Sequence, residues 1–232
     1  MTDLIASGLT DLGLDPSCAG TLASYGERLI EKNRVMNLTA ITEPADVARL
    51  HMLDCAAVLG SADFSGKKLI DVGTGAGFPG VVLRVCCPTL DLTLLDSLRK
   101  RVDWLQELTT ALNAPAQCVH GRAEEFGRDD AYREQFDLAT ARAVADLRLL
   151  AELCLPFVKV GGRFLAMKAD DSQDEVDAAA RAVALLGGRL CKPYVYTVPG
   201  TDVRRKVIVI EKIAPTPEKY PRRFAKMQKQ PL

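Results

Sequence analysis

Two carboxylates and a run of glycines carry the clearest chemical signal in this chain of 232 residues. The stretch Leu69-Ile70-Asp71-Val72-Gly73-Thr74-Gly75-Ala76-Gly77-Phe78-Pro79-Gly80 passes from an apolar strand through an acidic residue into a glycine-dense turn. A helical pattern, Val81 to Cys87, follows at once. Gly73, Gly75 and Gly77 let the backbone turn tightly and let a ligand approach where a Cβ would block it. Asp96 ends the next apolar run, Thr93-Leu94-Leu95-Asp96, roughly 20 residues past the glycines, where a ribose-binding carboxylate belongs. The spacing Gly75-x-Gly77-x-x-Gly80 also fits a dinucleotide site or a purely structural turn. Asp71 separates these readings, because a carboxylate beside a phosphate cradle repels a pyrophosphate. S-adenosylmethionine has no phosphate and carries an ammonium and a sulfonium, which nearby negative charge attracts. It is therefore the expected cofactor.

The elements that must hold these residues follow from periodicity. From Lys67 on, the pattern predicts strands over 68–73, 91–96, 115–120, 136–141, 161–168, 190–197 and 205–212. Amphipathic helices are clearest at 97–112, 145–159 and 173–187. Such alternation implies a parallel sheet with helices on both faces. Only Pro199-Gly200-Thr201-Asp202 joins the last two strands, too short for a parallel crossover, so they are expected to form an antiparallel hairpin. The α/β architecture looks like the class I S-adenosylmethionine-dependent methyltransferase fold, a doubly wound, mostly parallel sheet with a terminal hairpin. Leu22, Tyr25, Leu29 and Ile30, and later Val47, Leu50, Leu53 and Val58, recur at helical spacing. The expected organisation is an N-terminal helical cap over 1–62, a Rossmann-like core over 63–213, and an extended, basic, proline-containing arm over 214–232.

Bulk properties exclude more than they assign. The 30 Lys and Arg balance the 30 Asp and Glu, so any nucleic-acid surface must be local. No run approaches the ~20 apolar residues of a membrane span, and Met1-Thr2-Asp3 lacks the cationic start of a secretory signal. Seven cysteines are dispersed without a Cys-x-x-Cys, which reads as buried, reduced thiols in a cytoplasmic protein. His51 and His120 are the only histidines and lie far apart, so no metal site is expected.

Several stretches together resemble one family. They are Asn37-Leu38-Thr39-Ala40-Ile41, His51-x-Leu53-Asp54, the Asp71–Gly80 turn, and Leu94-Leu95-Asp96-Ser97 with Lys100-Arg101. Gly121-Arg122-Ala123-Glu124-Glu125, Ala141-Arg142-Ala143 and Tyr220-Pro221-Arg222-Arg223 complete the set. The chain resembles the bacterial RsmG family, also called GidB, over essentially its whole length. The resemblance implies methylation of N7 of one guanosine in a loop of 16S ribosomal RNA, with S-adenosylmethionine as donor. It carries cofactor contacts to Gly73, Phe78, Ala123, Glu124 and Arg142. Two departures are local: Ala169 follows Lys168 where the family has glycine, and Phe224-Ala225-Lys226 replaces a proline-glycine step.

Guanine N7 offers a lone pair and no proton, so no general base is needed, and no Cys/His or Ser/His pairing stands out. Arg142, after the fourth strand, could grip a phosphate, stack on a base, orient the cofactor, or simply pair with Glu124 or Asp146. His51 and Asp54, three apart, share a helix face and could close over the site, or be a surface pair. Arg142, Asp54 and His51 are therefore the catalytic candidates. The expected RNA contacts are Arg34, Arg99, Lys100, Arg101, Arg122 and Lys168, with Arg222 and Arg223 in the tail; a solvated face and a frayed end are the alternatives. The expected partner is 16S ribosomal RNA or the small ribosomal subunit, engaged by a single copy of the chain away from any membrane. The main rivals are a methyltransferase for another RNA, a protein or a small molecule, a non-catalytic cofactor- or RNA-binding module, and an NAD-dependent oxidoreductase.

Overall fold

Apolar residues at three- and four-residue spacing make the N-terminal segment helical. In the computed structural model, which describes residues 1–142 and 145–232, α1 (Thr2–Asp11) buries Ile5 and Leu9, and α2 (Ala19–Met36) buries Leu22, Tyr25 and Leu29. Asn37 ends α2 at φ 49°, a left-handed conformation that asparagine tolerates. A second helical run begins at Pro44, whose fixed φ suits a first helical position. It comprises α3 (Pro44–Val47), a π-helical turn over Ala48–Leu53, α4 (Asp54–Ala56) and a 3-10 turn over Ala57–Ser61.

Strands and helices then alternate: β1 (Lys68–Val72), α5 (Gly80–Cys86), β2 (Asp91–Asp96), α6 (Arg99–Ala111), β3 (Gln117–His120), α7 (Ala123–Phe126) and β4 (Phe136–Arg142). They continue as α8 (Leu147–Cys154), β5 (Val158–Ala169), α9 (Gln173–Leu185), β6 (Gly188–Leu190), β7 (Tyr194–Thr197), β8 (Arg204–Lys212) and α10 (Phe224–Lys229). The sheet order is β3-β2-β1-β4-β5-β8-β6, with β7 also paired to β8. Pairings among β1 to β5 are parallel, and β8 runs antiparallel to β5, β6 and β7. The expected hairpin is present, with Thr197 opposite Arg204.

Alternation along each strand divides the core between two faces. Leu69, Leu92, Leu94, Leu138, Leu165, Val207 and Val209 pack with α5, α6 and the N-terminal helices. Ile70, Val72, Ala139, Ala141, Phe164, Ala166, Ile208 and Ile210 pack with α8 and α9, and Tyr220 and Met227 of the tail join them. The chain order reverses between β1 and β4, which places a crevice outside the carboxyl ends of β1, β2 and β4.

Three expectations are corrected. The single strand over 190–197 is two, because Pro193 has no N–H to continue a ladder. The helix over 145–159 stops at Cys154, and β5 begins at Val158 and bulges near Gly161 (φ 88°) before its register with β4 settles. The tail is folded against the core rather than extended. Arg133 donates to the Thr216 carbonyl at 2.6 Å, Arg128 to the Pro221 carbonyl at 2.8 Å, and the buried Lys212 ammonium to Thr216 Oγ1 at 2.7 Å. All seven cysteines are free thiols, but only Cys55 and Cys154 are fully buried. Among the described residues no helix is long and apolar enough to cross a membrane, and no group of three or more His, Cys, Asp and Glu could hold a metal ion.

Candidate active site

β1, β2 and β4 are neighbours, so their carboxyl ends bring Asp71, Asp96 and Arg142 to one edge of the sheet. The turn after β1 is pinned by Gly73 N and Thr74 N donating to the Leu95 carbonyl at 2.8 and 3.2 Å. Gly75 (φ 60°) donates its N–H to Asp96 Oδ2 at 2.9 Å, and Leu98 N donates to Asp96 Oδ1 at 2.9 Å. A Cβ on Gly75 would meet only the Gly73 carbonyl oxygen, at 3.9 Å, so the space it faces is open. A cavity of about 420 Å³ lies here, walled by Gly73, Thr74, Gly75, Asp96, Phe78 and Arg142 among others.

Phe78 also lines the cavity and anchors an aromatic and cationic cluster. The Arg142 guanidinium lies 4.5 Å over its ring, and the His51 and Tyr25 rings stack on it at 4.6 and 5.1 Å between centroids. Arg142 Nη2 is 3.2 Å from His51 Nδ1, and Thr39 Oγ1 is 2.8 Å from His51 Nε2. Nδ1 also lies 3.1 Å from the Leu50 carbonyl, so it accepts from Arg142 in one neutral tautomer and donates to Leu50 in the other. Burial first, and the neighbouring guanidinium second, lower the His51 pKa to about 4, which keeps the ring neutral at ordinary pH. Arg142 Nη1 also reaches Cys55 Sγ at 3.4 Å and Asp54 Oδ2 at 3.8 Å. It pairs with neither Glu124 nor Asp146. Burial raises the Asp54 carboxyl, while Tyr196, Arg142 and Arg205 act the other way.

Several expected residues have other duties. Asp71 is fully buried and outside the cavity wall. It accepts from Thr74 Oγ1 (2.7 Å), Gly80 N (2.9 Å) and Thr140 Oγ1 (3.1 Å), and burial pushes its carboxyl up to about 6. It ties the turn to the sheet and does not present charge to a ligand. Gly77 (φ 104°) also turns away from the cavity, since a Cβ there would lie 2.7 Å from the Tyr25 hydroxyl, which donates to the Ala76 carbonyl at 2.6 Å. Ala123 and Glu124 begin α7 outside the wall, and Glu124 lies 3.6 Å from Arg122 in a separate groove.

Among the expected RNA contacts, Arg101 instead lines the cavity, 3.5 Å from Asp96 Oδ2. Lys168 donates to Glu175 at 2.6 Å and to the Ala145 carbonyl at 2.7 Å. Arg222 forms a double hydrogen bond with the buried Glu152, at 2.8 and 2.7 Å, so it is a structural clamp. Arg34, Arg99, Lys100, Arg122 and Arg223 are exposed. Ala143 lies outside the described residues.

Sequence reasoning missed four supporting residues. Thr39 orients His51; Asn33 holds the 37–41 loop by accepting from Leu38 N (2.6 Å) and Thr39 N (2.9 Å); Tyr25 braces the glycine turn; and Tyr196 donates to Asp54 Oδ1 at 2.8 Å. Only the Asn33–Thr39 stretch offered a local signal, a polar turn directly after a helix.

The residues fit S-adenosylmethionine. Asp96 keeps spare lone pairs on both oxygens for a ribose diol, and the Gly75 face is open to an adenosyl group. Solved methyltransferases share the fold. A ribosomal protein L11 methylase from Lactobacillus delbrueckii subsp. bulgaricus aligns at 16% identity and TM-score 0.51, covering 69% of this chain and 78% of that one. An S-adenosylmethionine-dependent O-methyltransferase from Thermotoga maritima aligns at 15% identity and TM-score 0.51, covering 82% and 72%. Sequence relatives are far nearer. Ribosomal RNA small subunit methyltransferase G of Alkaliphilus metalliredigens is 44% identical, covering 99% of this chain and 98% of the relative. The protein of the same name from Symbiobacterium thermophilum is 47% identical, covering 99% and 97%. The model of the GidB family, rRNA small subunit methyltransferase G, matches residues 19–197, and with these full-length identities it establishes that the chain belongs to that family.

Proposed function

We propose that this chain transfers a methyl group from S-adenosylmethionine to N7 of a guanosine in 16S ribosomal RNA, acting as a single copy in the cytoplasm. The observation that carries the reading is the juxtaposition, in a chain of this family, of a diol-binding carboxylate at Asp96 with the His51–Arg142–Phe78 cluster across one cavity.

S-adenosylmethionine, when bound, supplies a methyl on a positively charged sulfur, and the N7 lone pair takes that methyl as its bond to sulfur breaks. No proton leaves the base, so the chain has none to accept. His51 accordingly is a neutral ring packed against the Arg142 guanidinium, with Nδ1 3.2 Å from Nη2, and it has no proton to take up. Arg142 is held a second time by the face of Phe78. Catalysis then rests on alignment and on exclusion of water, which together can supply several kcal/mol. The alkylated ring gains positive charge, and the Asp54 carboxylate stands ready to offset it. Asp96 and the 73–76 turn hold the adenosyl end of the donor.

The test uses small subunits from cells lacking this protein, the purified chain and isotope-labelled S-adenosylmethionine. Label should enter one guanosine of 16S ribosomal RNA as 7-methylguanosine. Label in protein or in a different base would overturn the reading.

A further inference from the structure

A second cavity, of about 350 Å³, adjoins the first, and His51 and Arg142 line both. Its volume is in the range of small-molecule pockets, about 300–1,000 Å³. Ile41, Leu50 and Met167 give it apolar surface for the faces of a ring, and Asp54 supplies its one carboxylate. That carboxylate is 4% exposed and half engaged. Oδ1 accepts from the Tyr196 hydroxyl at 2.8 Å. Among the described residues Oδ2 accepts no hydrogen bond, and Arg142 Nη1 lies 3.8 Å from it. Oδ2 thus keeps acceptor capacity toward the cavity, beside the Arg142 guanidinium.

We infer that this second cavity receives the target base and that Asp54 reads it as guanine through its N1–H and its exocyclic amino group. The inference rests on the methyltransferase reading above and adds the residue that sets base identity. Guanine alone among the RNA bases presents two adjacent donors on its Watson–Crick edge, a pair that a carboxylate accepts. Adenine and cytosine each place an acceptor beside their amino group, and uracil flanks its single N–H with two carbonyls. The order of groups also matches. Running round the purine from N1 one meets O6 and then N7. Running from Asp54 one meets Arg142, a donor suited to O6, and then the first cavity, where the methyl is held. A guanine with its N1 edge on Asp54 thus presents N7 past Arg142 to the donor.

The experiment compares small subunits rebuilt with guanosine or inosine at the methylated position. Inosine keeps N7, O6 and N1–H and lacks only the amino group. The unaltered chain should show kcat/KM at least about tenfold lower on inosine, as expected for loss of a hydrogen bond to a charged group. In Asp54→Asn the guanosine-to-inosine ratio should fall to within about threefold of one, with S-adenosylmethionine affinity retained. Equilibrium binding of the two RNAs without S-adenosylmethionine should show the same order. Equal rates on both RNAs by the unaltered chain would overturn the inference while leaving the methyltransferase reading intact. Undiminished discrimination by a folded Asp54→Asn would do the same. If Asp54→Asn does not fold, Tyr196→Phe, which removes the hydroxyl that orients the Asp54 carboxylate, must shrink the ratio; an unchanged ratio there overturns the assignment. No transfer to guanosine at all would instead remove the reading on which the inference stands.

Discussion

At His51, burial and the Arg142 guanidinium both oppose a second ring proton, and the pKa falls to about 4 from an unfolded value of 6.5. Below pH 6.5 the unfolded chain takes the proton first, so stability is lost between about 6.5 and 4 as pH falls, by up to about 3 kcal/mol. Asp71 works against this. Its folded pKa of about 6 exceeds the unfolded 3.8, so the folded state gains stability as pH falls through the same range. The two are separated by mutation: the stability advantage of the unaltered chain over His51→Gln in urea denaturation should shrink from pH 7 to pH 4. The rate of methyl transfer, in contrast, should be flat between about pH 6 and 9, because no side chain must change protonation to react at N7. A limb inside that window would overturn this, and a midpoint near 6.5 would mean in addition that the His51 ring is not held at about 4. Asp96 invites a separate measurement. Asp96→Asn preserves shape and removes charge, and it should weaken S-adenosylmethionine about tenfold or more by calorimetry.

At the scale of elements, the glycine turn is held by packing as much as it is opened for a ligand. A Cβ on Gly80 would lie 2.9 Å from Asp71 Oδ2 and 2.8 Å from Leu94 Cδ2, both in the buried core. Gly80→Ala should therefore cost about 1–3 kcal/mol in urea denaturation, as overpacking does. The tail is a comparable case. Glu152→Ala leaves the Arg222 guanidinium without its partner at a nearly buried position and should cost on the order of 3 kcal/mol, with earlier proteolysis of residues 214–232. Arg223→Ala, at an exposed position, should change stability by less than about 0.5 kcal/mol. These elements also mark what could be read from sequence. Strand alternation and helical spacing are local, and they located β1, β2, β4, β8 and α9 to within a few residues. Gly73, Gly75 and Asp96 were readable as a cavity wall because turn and strand tip adjoin in any βαβ unit, whereas Phe78 came from the family resemblance alone. The duties of Tyr25, Tyr196 and Arg222 were not, because each is fixed by partners 51, 142 and 70 residues away. The basic composition of the tail suggested a free arm, since nothing local signals that Arg128, Arg133 and Glu152 reach over to hold it.

Across the whole molecule, zero net charge means that RNA must be held by a local set of cations, and the structure thins the set that composition offers. Arg101, Lys168 and Arg222 are engaged with Asp96, Glu175 and Glu152, whereas Arg34, Arg99, Lys100, Arg122 and Arg223 are exposed. Arg99 and Lys100 open α6 between Ser97 and Arg101, which line the cavity, and cations at a helix start gain nothing from its dipole. Their place is better explained by phosphates that approach as a loop guanosine enters the pocket. Affinity for small-subunit RNA should then fall with salt, with a log–log slope of roughly −0.7 for each single-strand phosphate that the protein neutralises. The double variant Arg99→Ala, Lys100→Ala should weaken RNA binding and make the slope shallower by about 0.7 for each phosphate no longer neutralised, with S-adenosylmethionine affinity unchanged. Arg222→Ala should lower stability and leave the slope of the folded protein where it was, because its guanidinium is spent on Glu152. If the double variant keeps both affinity and slope, the first turn of α6 is a solvated face, and the RNA must be gripped from the side of Arg34 or Arg122.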